Sequence, residues 1–231
     1  MKKIKLSVLG DSISSYNGYT NNPEYNSELP KNIMYYKSSM DKSDLESVND
    51  TYWMLTAEAL GLEICVPNGC GASRVTDTVK ETYPDAVIPS GPERANALHR
   101  DGDEKMYPDI IFIFLGTNDI GNAISLEKFE KSYVGLLQSI KENYKDASLY
   151  VGTIPPMKHN KPYDQETLDA YNEVIRRAAF DFNAGVADFA RECGITLENF
   201  RETTADGLHP NRLGMKKLSE CLISTIGKDY K

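Results

Sequence analysis

Asp109-Ile110-Ile111-Phe112-Ile113-Phe114-Leu115 is an unbroken apolar run behind one acid, and it stops at Gly116-Thr117-Asn118-Asp119. Such a run of β-branched and aromatic residues predicts a strand buried on both faces, as in the middle of a parallel sheet. The same grammar recurs on either side of it. Ile4 to Leu9 is a second apolar run, ended by Gly10-Asp11-Ser12. Glu63 to Val66 reads as a short strand, with a glycine-containing turn over Pro67 to Ser73 and a helix expected from Arg74. Ser148 to Ile154 is a strand stopped by Pro155-Pro156, and Gly185 to Phe189 a last short one. Helical spacing lies between them: Asp50 to Leu60, stopped by Gly61, then about Leu126 to Tyr144, Gln165 to Asn183 and Arg212 to Ile226. Strands alternating with helices predict an α/β fold, a parallel sheet with helices on both faces. No repeat or linker interrupts the pattern, so residues 1–231 read as one domain with a long loop insertion over about 14–50. Residues 84–108 read as irregular.

The chain has 231 residues, 40% of them hydrophobic, enough for one well-buried core. Its formal net charge of -8 argues against nucleic acid or an anionic membrane surface as partner. The four cysteines, Cys65, Cys70, Cys193 and Cys221, form no C-x-x-C pair and sit in no zinc-like spacing, so reduced thiols and no metal are expected. The apolar stretch after Met1-Lys2-Lys3 is shorter than the roughly 7–15 residues of a secretory signal core. No stretch approaches the roughly 20 apolar residues of a membrane span. The expectation is a cytoplasmic protein.

Four short blocks carry chemistry. Ser12 follows a strand and a glycine, a place where a tight turn exposes a hydroxyl; by itself it also fits a helix N-cap. Asp206 and His209 lie three apart before the last helix, so the carboxylate can hydrogen-bond Nδ1 and leave Nε2 to take a proton from a serine. Of the other histidines, His99 and His159 read as surface residues. Asn118 follows the most buried strand and can aim a carboxamide at an oxyanion, or simply satisfy its own turn. Gly71, in Asn68-Gly69-Cys70-Gly71, can bring a bare amide close to a substrate oxygen, or serve only as a turn glycine. Ser12, Gly71 and Asn118 all fall at carboxyl ends of predicted strands, where open α/β sheets build their sites.

Together these blocks resemble the GDSL-type esterases, the SGNH hydrolase family. The matching residues are Ser12, Gly71, Asn118 and His209, with Asp206 completing a triad, and the resemblance runs from residue 6 to about 214. A serine-tyrosine segment after Ser12, Thr51-Tyr52-Trp53, Ser73-Arg74-Val75-Thr76 and a lone Arg94 are similar to a bacterial branch of that family. Aligned on Ser73-Arg74-Val75-Thr76, the family glycine falls on Ala72 rather than Gly71. The resemblance implies a three-layer α/β/α sandwich with a short, mostly parallel, flavodoxin-like sheet, and neither metal nor organic cofactor. It implies a serine hydrolase of carboxylic esters, with Ser12 as nucleophile, His209 as base, Asp206 as orienting acid, and Ser12, Gly71 and Asn118 around the oxyanion.

The substrate clue is the insertion, where Tyr16, Tyr19, Tyr25, Tyr35 and Tyr36 stand among Asn and Ser. Tyr and Asn suit a sugar better than a lipid tail, so a small-molecule or oligosaccharide ester carrying a short acyl group such as acetyl is expected. Tyr16 is a candidate contact, and Arg74 and Arg94 candidates for a substrate anion; arginines of this kind also form structural salt bridges. The alternatives are a lysophospholipase or acyl thioesterase, and a catalytically silent carbohydrate-binding protein.

Overall fold

The computed structural model describes residues 3–19, 36–37, 41–76, 88, 90–102, 105–157 and 163–230. Five parallel strands form one sheet: β1 (Lys5–Gly10), β2 (Glu63–Gly69), β3 (Ile110–Phe114), β4 (Ser148–Gly152) and β5 (Gly185–Ala187), in the order β2-β1-β3-β4-β5. The order reverses between β1 and β3, and this switch point is where open α/β sheets leave a crevice at their carboxyl ends.

Alternation along β3 sets up the layers. Ile110, Phe112 and Phe114 face one core; Ile111, Ile113 and Leu115 face the other. The first core is closed by Tyr52 and Trp53 of α1 (Tyr52–Leu60) and by Met215, Leu218 and Leu222 of α8 (Arg212–Ile226). The second is closed by Phe129, Tyr133, Leu136, Leu137 and Ile140 of α4 (Leu126–Asn143) and by Leu168, Tyr171, Val174 and Ile175 of α5 (Gln165–Asp181). Those apolar positions recur every three or four residues, which gives each helix one buried face. Thr51, Ser125, Asp164 and Asn211 start the four long helices by accepting from backbone amides in the first turn. The result is the three-layer α/β/α sandwich.

Four shorter helices complete the order: α2 (Gly91–Arg94), α3 (Thr117–Gly121), α6 (Phe189–Glu192) and α7 (Phe200–Thr203). Two expectations are corrected. Strand β2 runs on through Pro67 to Gly69 instead of turning at Pro67. It is an edge strand, where a missing N–H breaks no ladder bond, and the register shift between Leu6 and Val8 accommodates it. The helix expected from Arg74 does not begin there, because the amides of Val75 and Thr76 donate to Asp119 at 2.9 and 3.1 Å; residues 77–87 lie outside the described set. So does most of the 14–50 insertion, whose described ends include 3₁₀ turns at Ser12–Ser14 and Val48–Asp50. Among the described residues no helix is long and apolar enough to cross a membrane.

Gly69 and Gly10 allow β1 and β2 to press against the turn that follows β1. A Cβ on Gly69 would lie 2.5 Å from the Ser14 carbonyl carbon and 2.6 Å from Ser15 N; one on Gly10 would lie 2.0 Å from Ser14 Oγ. Backbone cannot step aside as a side-chain tip can. We expect Gly69→Ala to cost about 1–3 kcal/mol through overpacking. At roughly 2–4 °C per kcal/mol for a domain of this size, calorimetry should record a clear fall in Tm. An unchanged Tm would mean that the close approach is not required.

Candidate active site

The turn after β1 places Ser12. Asp11 caps it, its Oδ1 accepting from Ile13 N at 2.9 Å, and Ser15 N closes it on Ser12 O at 3.2 Å. The segment before α8 places the histidine. Asp206 Oδ1 accepts from Leu208 N and His209 N at 2.9 and 2.8 Å, so the acid and the imidazole share one tight loop. Asn211 caps α8 two residues later. Tyr36 holds this loop from outside: its hydroxyl donates to Pro210 O at 2.8 Å, and its ring meets that of His209 edge to face.

These two segments bring Ser12 Oγ to 2.9 Å from His209 Nε2, and His209 Nδ1 to 2.8 Å from Asp206 Oδ2. A carboxylate only accepts, so Nδ1 carries the proton and donates it to Asp206. Nε2 is then the acceptor for the Ser12 hydroxyl. Burial raises the Asp206 carboxyl, but its bonds to His209, the charge of that ring and the two amides outweigh burial and hold it well below the usual carboxylate range. The arrangement can pass a proton from serine to imidazole and stabilise the resulting cation.

Asn118 stands in α3, one turn beyond β3. Its Nδ2 donates to Ser73 O at 3.0 Å and to Asp11 Oδ2 at 3.3 Å. Gly71 lies in the turn closed by Ser73 N on Cys70 O at 3.2 Å. The residue in the left-handed region of that turn is Ala72, with φ of 60°, not Gly71. That is the conformation a glycine takes most cheaply. The amides of Gly71 and Ala72 meet no acceptor among the described residues.

Arg94 is a correction. It is expected at a substrate anion, but it is 1% exposed. Its Nη1 donates to Asn68 O and Oδ1 at 2.7 Å, and its Nη2 to Gly10 O at 2.8 Å and Ser73 Oγ at 2.9 Å. The one-turn helix α2, closed by Glu93 on Ser90, aims it inward. Tyr16 is buried in the core with Ile13, Tyr36 and Trp53. Arg74 is half-buried, and its Nε has no partner among the described residues. His99 is not an ordinary surface residue: it stacks on Tyr107 at 4.7 Å and meets Tyr144 Oη at 2.8 Å. His159 lies outside the described residues.

Two buried acids beside the site are missed by motif reading, although both stand inside the motif blocks. Asp11 is 1% exposed, and burial pushes its carboxyl up to about 6 against the pull of Ile13 N, His209 and Arg94. Asp119 is fully buried and likewise pushed up to about 6, while accepting from Val75 N, Thr76 N and Thr76 Oγ1. It ties α3 to the segment that follows the 70–73 turn.

The profile of the GDSL-like Lipase/Acylhydrolase family matches residues 8–217. The chain belongs to this family. A multidomain esterase from Ruminococcus flavefaciens is 29% identical over 126 residues, 53% of this chain and 16% of that protein, so the match spans only a small part of that relative's length. A crystal structure from Bacteroides ovatus, described as a GDSL-like lipase, superposes with a TM-score of 0.71 at 22% identity over 99% of this chain and all of that one. A carbohydrate acetylesterase from Sinorhizobium meliloti superposes with a TM-score of 0.67 at 16% identity over 99% and 100% of the two chains. At these identities the structures speak for the fold.

Arg94→Ala should strip several buried acceptors of their donor and leave the buried Asp11 without its nearby positive charge, at a cost on the order of 3–5 kcal/mol. The expected reading in thermal denaturation is a fall in Tm of about 10 °C or more. A substrate-binding arginine would raise KM and leave Tm unmoved.

Proposed function

We propose that this hydrolase removes short acyl groups, acetyl above all, from a carbohydrate or another polar alcohol. In this reading Ser12 is the nucleophile, His209 the general base and then acid, and Asp206 the orienting carboxylate. The observation that carries it is the continuous relay from Ser12 Oγ through His209 to Asp206, two links of 2.9 and 2.8 Å.

Ser12 attacks the ester carbonyl as its proton passes to His209 Nε2. The oxyanion is met by the Ser12 amide, by Asn118 Nδ2 and by an amide of the Gly71–Ala72 turn. Each such donor is worth about 3 kcal/mol in the transition state. Collapse expels the alcohol, which takes the proton back from His209. Water then repeats the sequence on the acyl-enzyme. Asp206 stays ionised well into acid and supports the imidazolium throughout. Arg74 is the residue we assign to an anionic part of the substrate.

The polar character of the insertion supports a sugar or similar alcohol. Among its described tyrosines, Tyr19 is 46% exposed. The structural likeness to a protein named as a carbohydrate acetylesterase points the same way.

Ser12→Ala should lower kcat on 4-nitrophenyl acetate by several orders of magnitude with the fold intact by circular dichroism. Asn118→Ala should lower kcat by roughly 100-fold and leave KM within about threefold, because the donor acts in the transition state. Retention of more than a few per cent of kcat in Ser12→Ala would overturn the assignment.

Acyl length tests the substrate class. An added CH₂ gains about 0.8 kcal/mol only where it is buried. On a common alcohol, kcat/KM should fall from acetyl to octanoyl. A rise along that series would replace this reading with lysophospholipase or thioesterase activity.

A further inference from the structure

A primary amide nitrogen carries two hydrogens. In the resting enzyme both of those on Asn118 are engaged, one by Ser73 O at 3.0 Å and one by Asp11 Oδ2 at 3.3 Å. An oxyanion can therefore be served only if one contact yields. Ser73 is held in place through its Oγ by the buried Arg94, and its contact is the shorter. Asp11 offers the longer contact and the easier exchange. Its other oxygen caps the turn that carries Ser12, accepting from Ile13 N at 2.9 Å. One buried side chain thus spans the nucleophile turn and the oxyanion amide.

We propose that Asp11 is a positioning residue: its Oδ2 holds the second N–H of Asn118 aimed at the site and releases it to the oxyanion as the tetrahedral intermediate forms. This rests on the reading of Asn118 as an oxyanion donor. The held N–H needs no search or desolvation at the moment of reaction, which is the condition under which such donors act strongly. No proton moves in the exchange; one acceptor replaces another. Asp11 lies in the field of His209, Arg94 and Asp119, so its carboxylate is neither isolated nor solvated when it gives the contact up.

Asp11→Ser separates the two duties. Serine is a good N-cap and can still accept from Ile13 N, but its oxygen is too short to reach Asn118. Asp11→Asn has one acceptor oxygen where Asp11 uses two, so it can accept from Asn118 only by giving up the Ile13 N cap. Active sites are counted by fluorophosphonate titration, so that misfolded protein does not enter kcat. We expect Asp11→Ser to lower kcat by roughly 10- to 100-fold with KM within about threefold, and Asp11→Asn to recover only part of the loss, in proportion to how far its one oxygen turns to Asn118. In an Asn118→Ala background Asp11→Ser should change kcat by less than about threefold, since residues that act as a unit are not additive. If Asp11→Ser does not fold, Asp11→Thr carries the same test with the same cap and the same short reach. A wild-type kcat in Asp11→Ser, or an equal loss with and without Asn118, would overturn the proposal. An unchanged kcat in Asn118→Ala alone would instead overturn the oxyanion reading on which it rests.

Discussion

One buried guanidinium fixes the relative positions of three chain segments at the carboxyl end of the sheet. Arg94 reaches the last residue of β1 through Gly10 O, the end of β2 through Asn68, and the 70–73 turn through Ser73 Oγ. Its planar fork can serve all of these at once, which a lysine could not. Ser73 in turn accepts from Asn118, and Gly10 leads directly into Asp11 and Ser12. The Ser12 turn and the Asn118 contact are therefore braced from underneath, by a buried residue.

The acids around the site fall into two electrostatic classes. Asp206 is partly exposed and bonded to His209, and its carboxyl is held low. Asp11 and Asp119 are buried, and burial pushes both up to about 6. Burial disfavours the charged form, and bonding to the charged form restores it; here the same residue type lands on either side of its ordinary value through its surroundings alone. The charge of Arg94 beneath Asp11 offsets part of that burial cost.

Much of this was legible in the chain. The β3 run, the helix at Arg212–Ile226 and the spacing of Asp206 and His209 are strong local signals, because continuous burial, helical periodicity and a one-turn loop each leave a mark on neighbouring residues. Other features were not legible, for physical reasons. Pro67 reads as a strand breaker until the strand is known to be an edge. The α3 turn, Thr117–Gly121, goes unread behind Gly116 because five residues cannot show a helical period. Arg94 reads as a candidate for a substrate anion or a salt bridge, since Asn68, Gly10 and Ser73, which it holds, come from segments distant in sequence. The tyrosines of the insertion divide: Tyr16 and Tyr36 are core, Tyr19 is exposed, and only tertiary packing separates them.

Tyr36 and Pro210 are 174 positions apart, and Ser12 and His209 are 197 apart. Contacts of such separation carry the largest loop-closure entropy and are rewarded only once intervening structure has shortened the path between them. The Ser12 turn and the Asp206–His209 loop can each be locally well formed, with their own caps and turns, before the two meet. The Ser12–His209 contact is therefore a long-range order parameter: it reports that the two extremes of the fold have met, which no helix or strand signal can report.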